Sequence, residues 1–391
     1  MFFRFLKTCL LLSVLPLLGG CWSQINFDQL TVVSSLGLDL NPDKRLEVTI
    51  QLVNPTLPIS AGGGNQQRRS IATYSAVGAT VEDALETIRQ QAKKSLFFPQ
   101  TRVVMIGERL ARKGLDGVMD YFWRNQYQNF NSFVLISKEP VRQALGKSQE
   151  LQAVPADEWK AYLESKYYKS LSGAIELYQF LPRLNQSGYA AAVPGLRSAE
   201  SYGANQRIMA IEELAVFRHE RLVGWMNSDE TQMVSWLSGM AKSGSFKVKI
   251  DEGTIISFQM NPVAVRLTPV FDGERITLKV KMVAEAGIVT STAELNLADP
   301  DFNRKLVRSL TDHLQRQTEH TVYKLFRTYR TDSIGFGETI HRKAPSKWKK
   351  LKKDWEERLK TIKVEPEIKV VMTKSGLLIE GLITKDDEEK K

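Results

Sequence analysis

Period-two alternation opens the folded part of the chain. Val32, Val33, Leu36 and Leu38 mark a strand over Leu30 to Leu40; Leu46, Val48, Ile50 and Leu52 alternate with Glu47, Thr49 and Gln51 in a second, Arg45 to Val53. Asn41-Pro42-Asp43 between them is a turn signal, so the two predict a hairpin, which Asn54-Pro55 ends. Ala61-Gly62-Gly63-Gly64-Asn65 begins a loop running to about Arg69. It lacks the Gly-Lys-Ser/Thr ending of a phosphate loop and the glycine spacing of a dinucleotide fold. The period then changes to that of a helix. Val81, Ala84, Leu85, Ile88 and Ala92 form one stripe, opened by Thr80 with Asp83 as its capping-box partner. Thr101 to Ile106 predicts a short buried strand, Leu110 to Trp123 a second helix, and Phe130 to Ser137 a further strand. These elements make an N-terminal α/β domain over 21–150.

Residues 151–245 read as a middle, helix-rich domain. Tyr167, Tyr168, Leu171, Ile175, Leu177 and Leu181 have helical spacing, and Pro182, Gly188, Pro194 and Gly195 break it into pieces. Its aromatics are core positions or a pocket lining. Ile208 to Phe217 and Arg221 to Met226 predict a hairpin about His219-Glu220, whose assignment to the middle or the last domain the pattern leaves open. Asn227 or Ser228 caps a helix over Asp229 to Met240, with Asp229 and Glu230 at its positive end. Residues 246–383 read as a third domain. Its alternating segments are Ser245 to Met260, Val263 to Phe271 and Arg275 to Ile288, the last two joined by Asp272-Gly273. Asp299-Pro300-Asp301 starts a helix as far as Thr331, striped by Leu306, Leu310, Leu314, Leu325 and Tyr329. At 1.5 Å per residue it is about 45 Å long, enough to cross a sheet. Ile368 to Met372 and Leu377 to Leu382 finish as strands, and the tail 384–391 reads as charged and disordered. The fold class is mixed α/β: three consecutive domains, each of mainly antiparallel sheet with packed helices, and a long helix against the C-terminal sheet.

The first twenty residues carry a different pattern. Arg4 and Lys7 precede an uncharged run of 13 residues, Thr8 to Gly20, rich in leucine and ending in small residues. This is the layout of a secretory signal peptide, and the run falls short of the roughly 20 residues a spanning helix needs. Leu18-Gly19-Gly20 stands directly before Cys21 and resembles the lipobox of bacterial lipoproteins, whose cysteine is acylated and becomes the new N-terminus. The other cysteine, Cys9, lies within the signal, so the mature part has no thiol left for a disulfide. An exported chain of 391 residues with 42% hydrophobic content then depends on its apolar cores. The net charge is +10, or +8 once Arg4 and Lys7 are removed. For an exported, lipidated chain this favours an anionic membrane surface or an acidic protein over nucleic acid.

Charge is densest over His341 to Lys360, with nine Lys or Arg against Asp354, Glu356 and Glu357. Trp348, Leu351, Trp355, Leu359 and Ile362 recur there at helical spacing, predicting an amphipathic helix. Two readings are open. Trp348 and Trp355 lie face down on lipid or a partner, with Lys349 and Lys352 beside them; or the tryptophans pack on the C-terminal sheet and the basic face is solvated.

A search for chemistry finds little. There is no Gly-x-Ser-x-Gly, no His-Glu-x-x-His and no cysteine pair for metal. The four histidines, at 219, 313, 320 and 341, are scattered, and Glu212-Glu213 and Asp386-Asp387 are sequence neighbours that face apart in strands. We expect no catalytic residues, metal, cofactor or small-molecule ligand, and therefore no enzyme. Gly335-Phe336-Gly337-Glu338 reads as a helix-to-helix joint in which the glycines allow a bend and Phe336 anchors it; it is also a candidate partner contact.

Several stretches together resemble one family. They are Gly20-Cys21-Trp22, Gly37-Leu38-Asp39, Gln51-Leu52-Val53-Asn54-Pro55, Leu214-Ala215-Val216-Phe217 and Leu222-Val223-Gly224-Trp225-Met226-Asn227. Most specific is Asp332-Ser333-Ile334-Gly335-Phe336-Gly337-Glu338, continued by His341-Arg342-Lys343-Ala344-Pro345 and Trp348. The chain resembles the Ger(x)C family, the lipoprotein C subunits of spore germinant receptors; Ser23-Gln24 departs from the acidic and basic residues usual there. The resemblance implies three α/β domains and a non-enzymatic subunit required to trigger germination. It implies anchoring through Cys21 to the outer face of the inner spore membrane, beside membrane-spanning A and B subunits. The alternative is a lipid-anchored solute-binding protein that captures the germinant.

Overall fold

The computed structural model describes residues 30–53, 71–146, 154–165, 173–200, 207–250, 253–293, 295, 297 and 299–373. The signal run with Leu18, Gly19, Gly20 and Cys21, the glycine loop after Ala61, Tyr167, Tyr168 and Leu171, Leu377 to Leu382 and the tail lie outside them.

Two sheets carry the described fold. The first has nine strands: β1 (Leu30–Leu40), β2 (Leu46–Val53), β3 (Ile71–Gly78), β4 (Ser95–Phe97), β5 (Val103–Gly107), β6 (Phe133–Ser137), β7 (Ala192–Glu200), β8 (Arg207–Arg218) and β9 (Arg221–Met226). Their order is β3-β2-β1-β5-β6-β7-β8-β9, with β4 beside β1. Pairing is antiparallel at both ends and parallel from β1 through β7. The expected middle unit is therefore not a separate sheet. Ile136 of β6 pairs with Gly195 of β7, and strands from beyond residue 150 complete the sheet begun at Leu30. The second sheet has four strands: β10 (Gly244–Lys249), β11 (Ile255–Asp272), β12 (Arg275–Ser291) and β13 (Lys363–Met372). The mixed α/β class holds, on two sheets rather than three.

Helices cover the first sheet on both faces. One face carries α1 (Val81–Ala92), α2 (Glu108–Lys113), α3 (Asp116–Arg124) and, after two helices of the other face, α6 (Leu177–Asn185), whose apolar residues share a core with Leu36, Leu38, Ile106 and Phe217. The other carries α4 (Val141–Gly146) and α5 (Pro155–Glu164), around Val103, Met105 and Leu135. Thr80 caps α1 as expected, accepting from Asp83 N. The single helix expected over Leu110 to Trp123 is two, because Gly114 takes φ 126° between them.

Small and polar residues in β1 and β2 explain how α4 sits so close. A β-carbon on Gly37 would lie 2.3 Å from Val141 Cγ1, so only glycine admits the helix there. Asp39, buried at 2%, accepts from Val141 N at the start of α4 (3.2 Å) and from Leu40 N (2.7 Å). Gln51 Nε2 donates to Leu145 O near the helix end (3.1 Å), while its Oε1 accepts from Ser34 Oγ (3.1 Å). Buried polar groups stay only when paired in this way.

Around the second sheet, α7 (Ser228–Leu237) is capped by Asn227 in a full capping box with Glu230. The long helix α8 (Pro300–Tyr323) widens into a π-helical turn over Lys324–Tyr329 and ends where Arg330 takes φ 53°. Leu306, Leu310, Leu314, Leu325 and Phe326 join one core with the sheet and with Leu214, Val216 and Met226 of the first sheet. Adjacent residues Leu325 and Phe326 are both fully buried there, where a strict 3.6 period would separate them. After α8 come α9 (Phe336–Lys343), α10 (Pro345–Leu351) and α11 (Trp355–Leu359), where one amphipathic helix was expected.

Candidate functional site: the seam between the sheets

The residues singled out in the sequence meet where the end of α8 crosses the edge of the first sheet. Thr331 Oγ1 donates to Phe217 O at 2.7 Å, and Tyr329 Oη to Trp225 O at 2.9 Å. Gly224 makes room for that tyrosine, since a β-carbon there would come 2.2 Å from its ring. Trp225 reaches back the other way: its Nε1 donates to Glu108 Oε1 (3.0 Å), and Lys138 Nζ stands 4.4 Å over its ring. The hairpin stretches at 214–217 and 222–227 and the stretch at 332–338 are far apart in sequence and adjacent here.

Asp332 is the centre of the seam. Its carboxylate is buried (2% of the residue exposed) and accepts from Phe336 N (2.9 Å), Gly337 N (2.6 Å) and Trp355 Nε1 (3.3 Å). Its backbone carbonyl accepts from Ala190 N, 2.8 Å away on the approach to β7. Burial pushes the carboxyl up to about 6, against the opposing pull of the Gly337 and Phe336 amides. Gly335 takes φ 73° and turns the chain into α9. Phe336, fully buried, stacks on Phe326 with centroids 6.4 Å apart and lies 6.0 Å from Trp355. Glu338 accepts from Gln186 at 3.2 Å. Sequence reasoning named Gly335, Phe336, Gly337 and Glu338 but missed Asp332 as the acceptor that holds them, because Trp355 and Ala190 come from distant elements.

Trp348 and Trp355 stack edge to face, centroids 5.1 Å apart, each 5% exposed. Their indoles lie in the core of the second sheet, so the face-down contact with lipid is not available to them. Lys349 and Lys352 point outward and are exposed. The four histidines are likewise separate: His219 contacts Glu356 (2.6 Å), His313 packs on Phe246, His320 meets buried Glu230 (3.0 Å) and His341 lies by Trp348. Lys324 also reaches Glu230, at 2.6 Å, and ties α8 to α7. Among the described residues no three His, Cys, Asp or Glu stand together as a metal site.

Beside the seam lies a cleft of about 450 Å³. Arg183, Arg218, Arg330, Lys352 and Lys353 line it together with Asp354, Glu356 and Glu357. Arg330 pairs with Glu357 (3.4 Å), and Arg183 stacks 4.0 Å over Tyr189. The arrangement can hold charged groups. It presents no nucleophile activated by a neighbouring base.

A two-sheet mixed α/β protein whose distinctive residues knit the sheets together is the class this geometry defines. Comparison with known proteins narrows it. Residues 23–198 match the spore germination protein N-terminal domain family, and residues 212–376 the family described as spore germination B3/GerAC like, C-terminal. Spore germination protein KC of Bacillus subtilis (strain 168) is 27% identical over 395 residues, covering 95% of this chain and 96% of the relative. Spore germination protein B3 of the same organism is 22% identical, covering 91% of each. The crystal structure of the GerBC protein aligns with a TM-score of 0.57 at 17% identity, over 86% of this chain and 96% of that one. The chain belongs to the Ger(x)C family and is a spore germination receptor C-subunit-like protein. That family is not a known enzyme family. No described helix is long and apolar enough to cross a membrane.

Proposed function

We propose that the protein is the lipoprotein C subunit of a nutrient germinant receptor. Acyl groups on Cys21 hold it at the outer face of the inner spore membrane, and it acts by assembly with integral-membrane A and B subunits. The observation that carries this reading is the order of the chain: a lipobox ending at Cys21, then two germination-family segments in succession. Two or three acyl chains anchor a protein far more firmly than one, at about 0.8 kcal/mol for each buried methylene. Assembly is the role that suits a chain whose family-like residues serve packing. The test is Cys21→Ala in the sporulating host. Release from spore membranes, loss of coisolated A and B subunits and loss of the germination response support the reading. Membrane retention of the variant counts against the tether, and failure of the wild-type chain to copurify with membrane subunits counts against assembly.

A second reading, a lipid-anchored solute-binding protein, draws on one observation. The charged cleft beside Asp332 has the volume of a small-ligand site. Saturable binding of an amino acid or sugar by the purified mature chain, abolished by Arg218→Ala, supports it; no binding at millimolar solute removes it.

A further inference from the structure

Cys21 stands nine residues ahead of Leu30, where β1 begins, so the intervening chain spans at most roughly 30 Å. The surface within that reach is the start of β1 and whatever lies beside it. Leu30 and Thr31 pair with Ser95 and Leu96 of β4. Val33 O accepts from Thr101 Oγ1 (3.2 Å), and Thr101 O accepts from Asn129 Nδ2 (2.8 Å) and Ser132 Oγ (2.7 Å). The loop between α3 and β6 is thereby fixed next to the beginning of β1. Tyr178 N, in the first turn of α6, donates to Phe130 O at 2.9 Å and brings that helix to the same place.

Three large aromatic side chains are exposed on these pieces. Trp123 (57% exposed) ends α3, Tyr127 (66%) is on the loop, and Tyr178 (49%) is on α6. The other exposed large apolar residues among those described, Ile255, Val270, Val283, Val289 and Val371, are aliphatic and belong to the second sheet. Among the described residues, large exposed rings are thus confined to the region where the tether arrives. Lys93 and Lys94, both exposed, stand just ahead of β4 in the same region.

We propose that this end of the first sheet seats on the lipid bilayer, with Trp123, Tyr127 and Tyr178 in the headgroup layer and Lys93 and Lys94 toward anionic phosphates. The proposal rests on the lipid-tether reading of Cys21. Indole and phenol rings combine an apolar body with a polar tip and concentrate at the boundary between water and hydrocarbon. Lysines near that boundary are drawn to anionic lipid. Each contact alone is weak, but a short tether makes the encounter intramolecular and keeps this surface at high effective concentration against the bilayer.

The mature chain has no cysteine besides Cys21, so Tyr127→Cys, Tyr178→Cys and Val289→Cys each give one labelling position. The full lipidated chain, alone, is reconstituted into vesicles of phosphatidylglycerol and phosphatidylcholine, and flotation is checked first. A fluorophore at 127 or 178 is expected to be several-fold less accessible to acrylamide on vesicles than in detergent, and to be quenched by brominated lipid. One at 289 is expected to change in neither respect. A chain that floats while 127 and 178 behave like 289 overturns the proposal and leaves the tether standing. A chain that does not float overturns both. Protection that appears only in spore membranes containing the other subunits assigns the surface to a protein partner and overturns the lipid proposal.

Discussion

Gly188 and Gly337 meet backbone to backbone: a β-carbon on Gly337 would lie 2.5 Å from Gly188 Cα, and Gly188 O accepts from Glu338 N at 3.0 Å. Trp348 closes over both, its ring 2.6 Å from where a β-carbon on Gly188 would stand. The approach to β7 and the start of α9 are joined here with no side chain between them. Gly337→Ala is expected to destabilise the protein by about 1–3 kcal/mol through overpacking, despite alanine's higher helix propensity. Gly188→Ala adds strain at φ 88° to the same clash and is expected to cost at least as much. Urea unfolding midpoints of the two variants check this; an unchanged midpoint for Gly337→Ala would show that the contact is loose.

Asp332 predicts a pH dependence with a definite sign. Its native carboxyl is raised from 3.8 to about 6 by burial, so the folded chain holds a proton where the unfolded chain has lost it. The cost of keeping the ionised form buried is fully present above about pH 6 and fades as pH falls toward about 4, a difference of about 3 kcal/mol. The wild-type chain is expected to gain this stability on acidification relative to Asp332→Asn, which cannot titrate there. Unfolding of both proteins between pH 4 and 7 gives the difference directly. A constant gap between the two curves would sink the assignment.

The two ends of α4 predict an ordered pair of effects. Asp39→Ala removes the buried acceptor of Val141 N and Leu40 N and the partner of Arg109. A loss of about 2–4 kcal/mol is expected. Gln51→Ala strands Leu145 O, while Ser34 Oγ keeps the residue-51 carbonyl as its acceptor (3.1 Å), and is expected to cost about 1–3 kcal/mol. Thermal denaturation ranks the two, and Gln51→Ala as the more harmful would contradict the geometry.

The basic segment separates core from surface. Trp348→Ala empties a buried site shared with Trp355 and His341 and is expected to cost about 3–5 kcal/mol. Lys349→Ala and Lys352→Ala change exposed side chains and are expected to shift stability by less than about 0.5 kcal/mol. Unfolding midpoints distinguish the two classes of variant.

Local pattern carried much of the fold. Alternation placed β1, β2, β8 and β9, and the capping residues Thr80 and Asn227 open their helices as read. It failed where a local signal is ambiguous. Ile71–Gly78 is a sheet edge with several half-buried positions, so its alternation is faint. Pro194 and Gly195 look like breakers, yet they lie inside β7; a side chain at 195 would meet the Trp225 ring at 2.3 Å. Strand β11 continues through Pro262 with a register shift, and the break in the first alternating segment falls earlier, after Lys249.

Neighbouring residues settle what could be read along the chain: the hairpins and caps, the long helix, and motifs specific enough to indicate the family. The tertiary structure settled what depends on residues far apart in the chain. It joined β6 to β7 across the expected boundary, turned Trp348 and Trp355 inward, and made Asp332 the acceptor for donors at 336, 337 and 355. Helical periodicity shows that a stripe is apolar but not what covers it. Whether an indole faces a core or a membrane is settled by the element that packs against it.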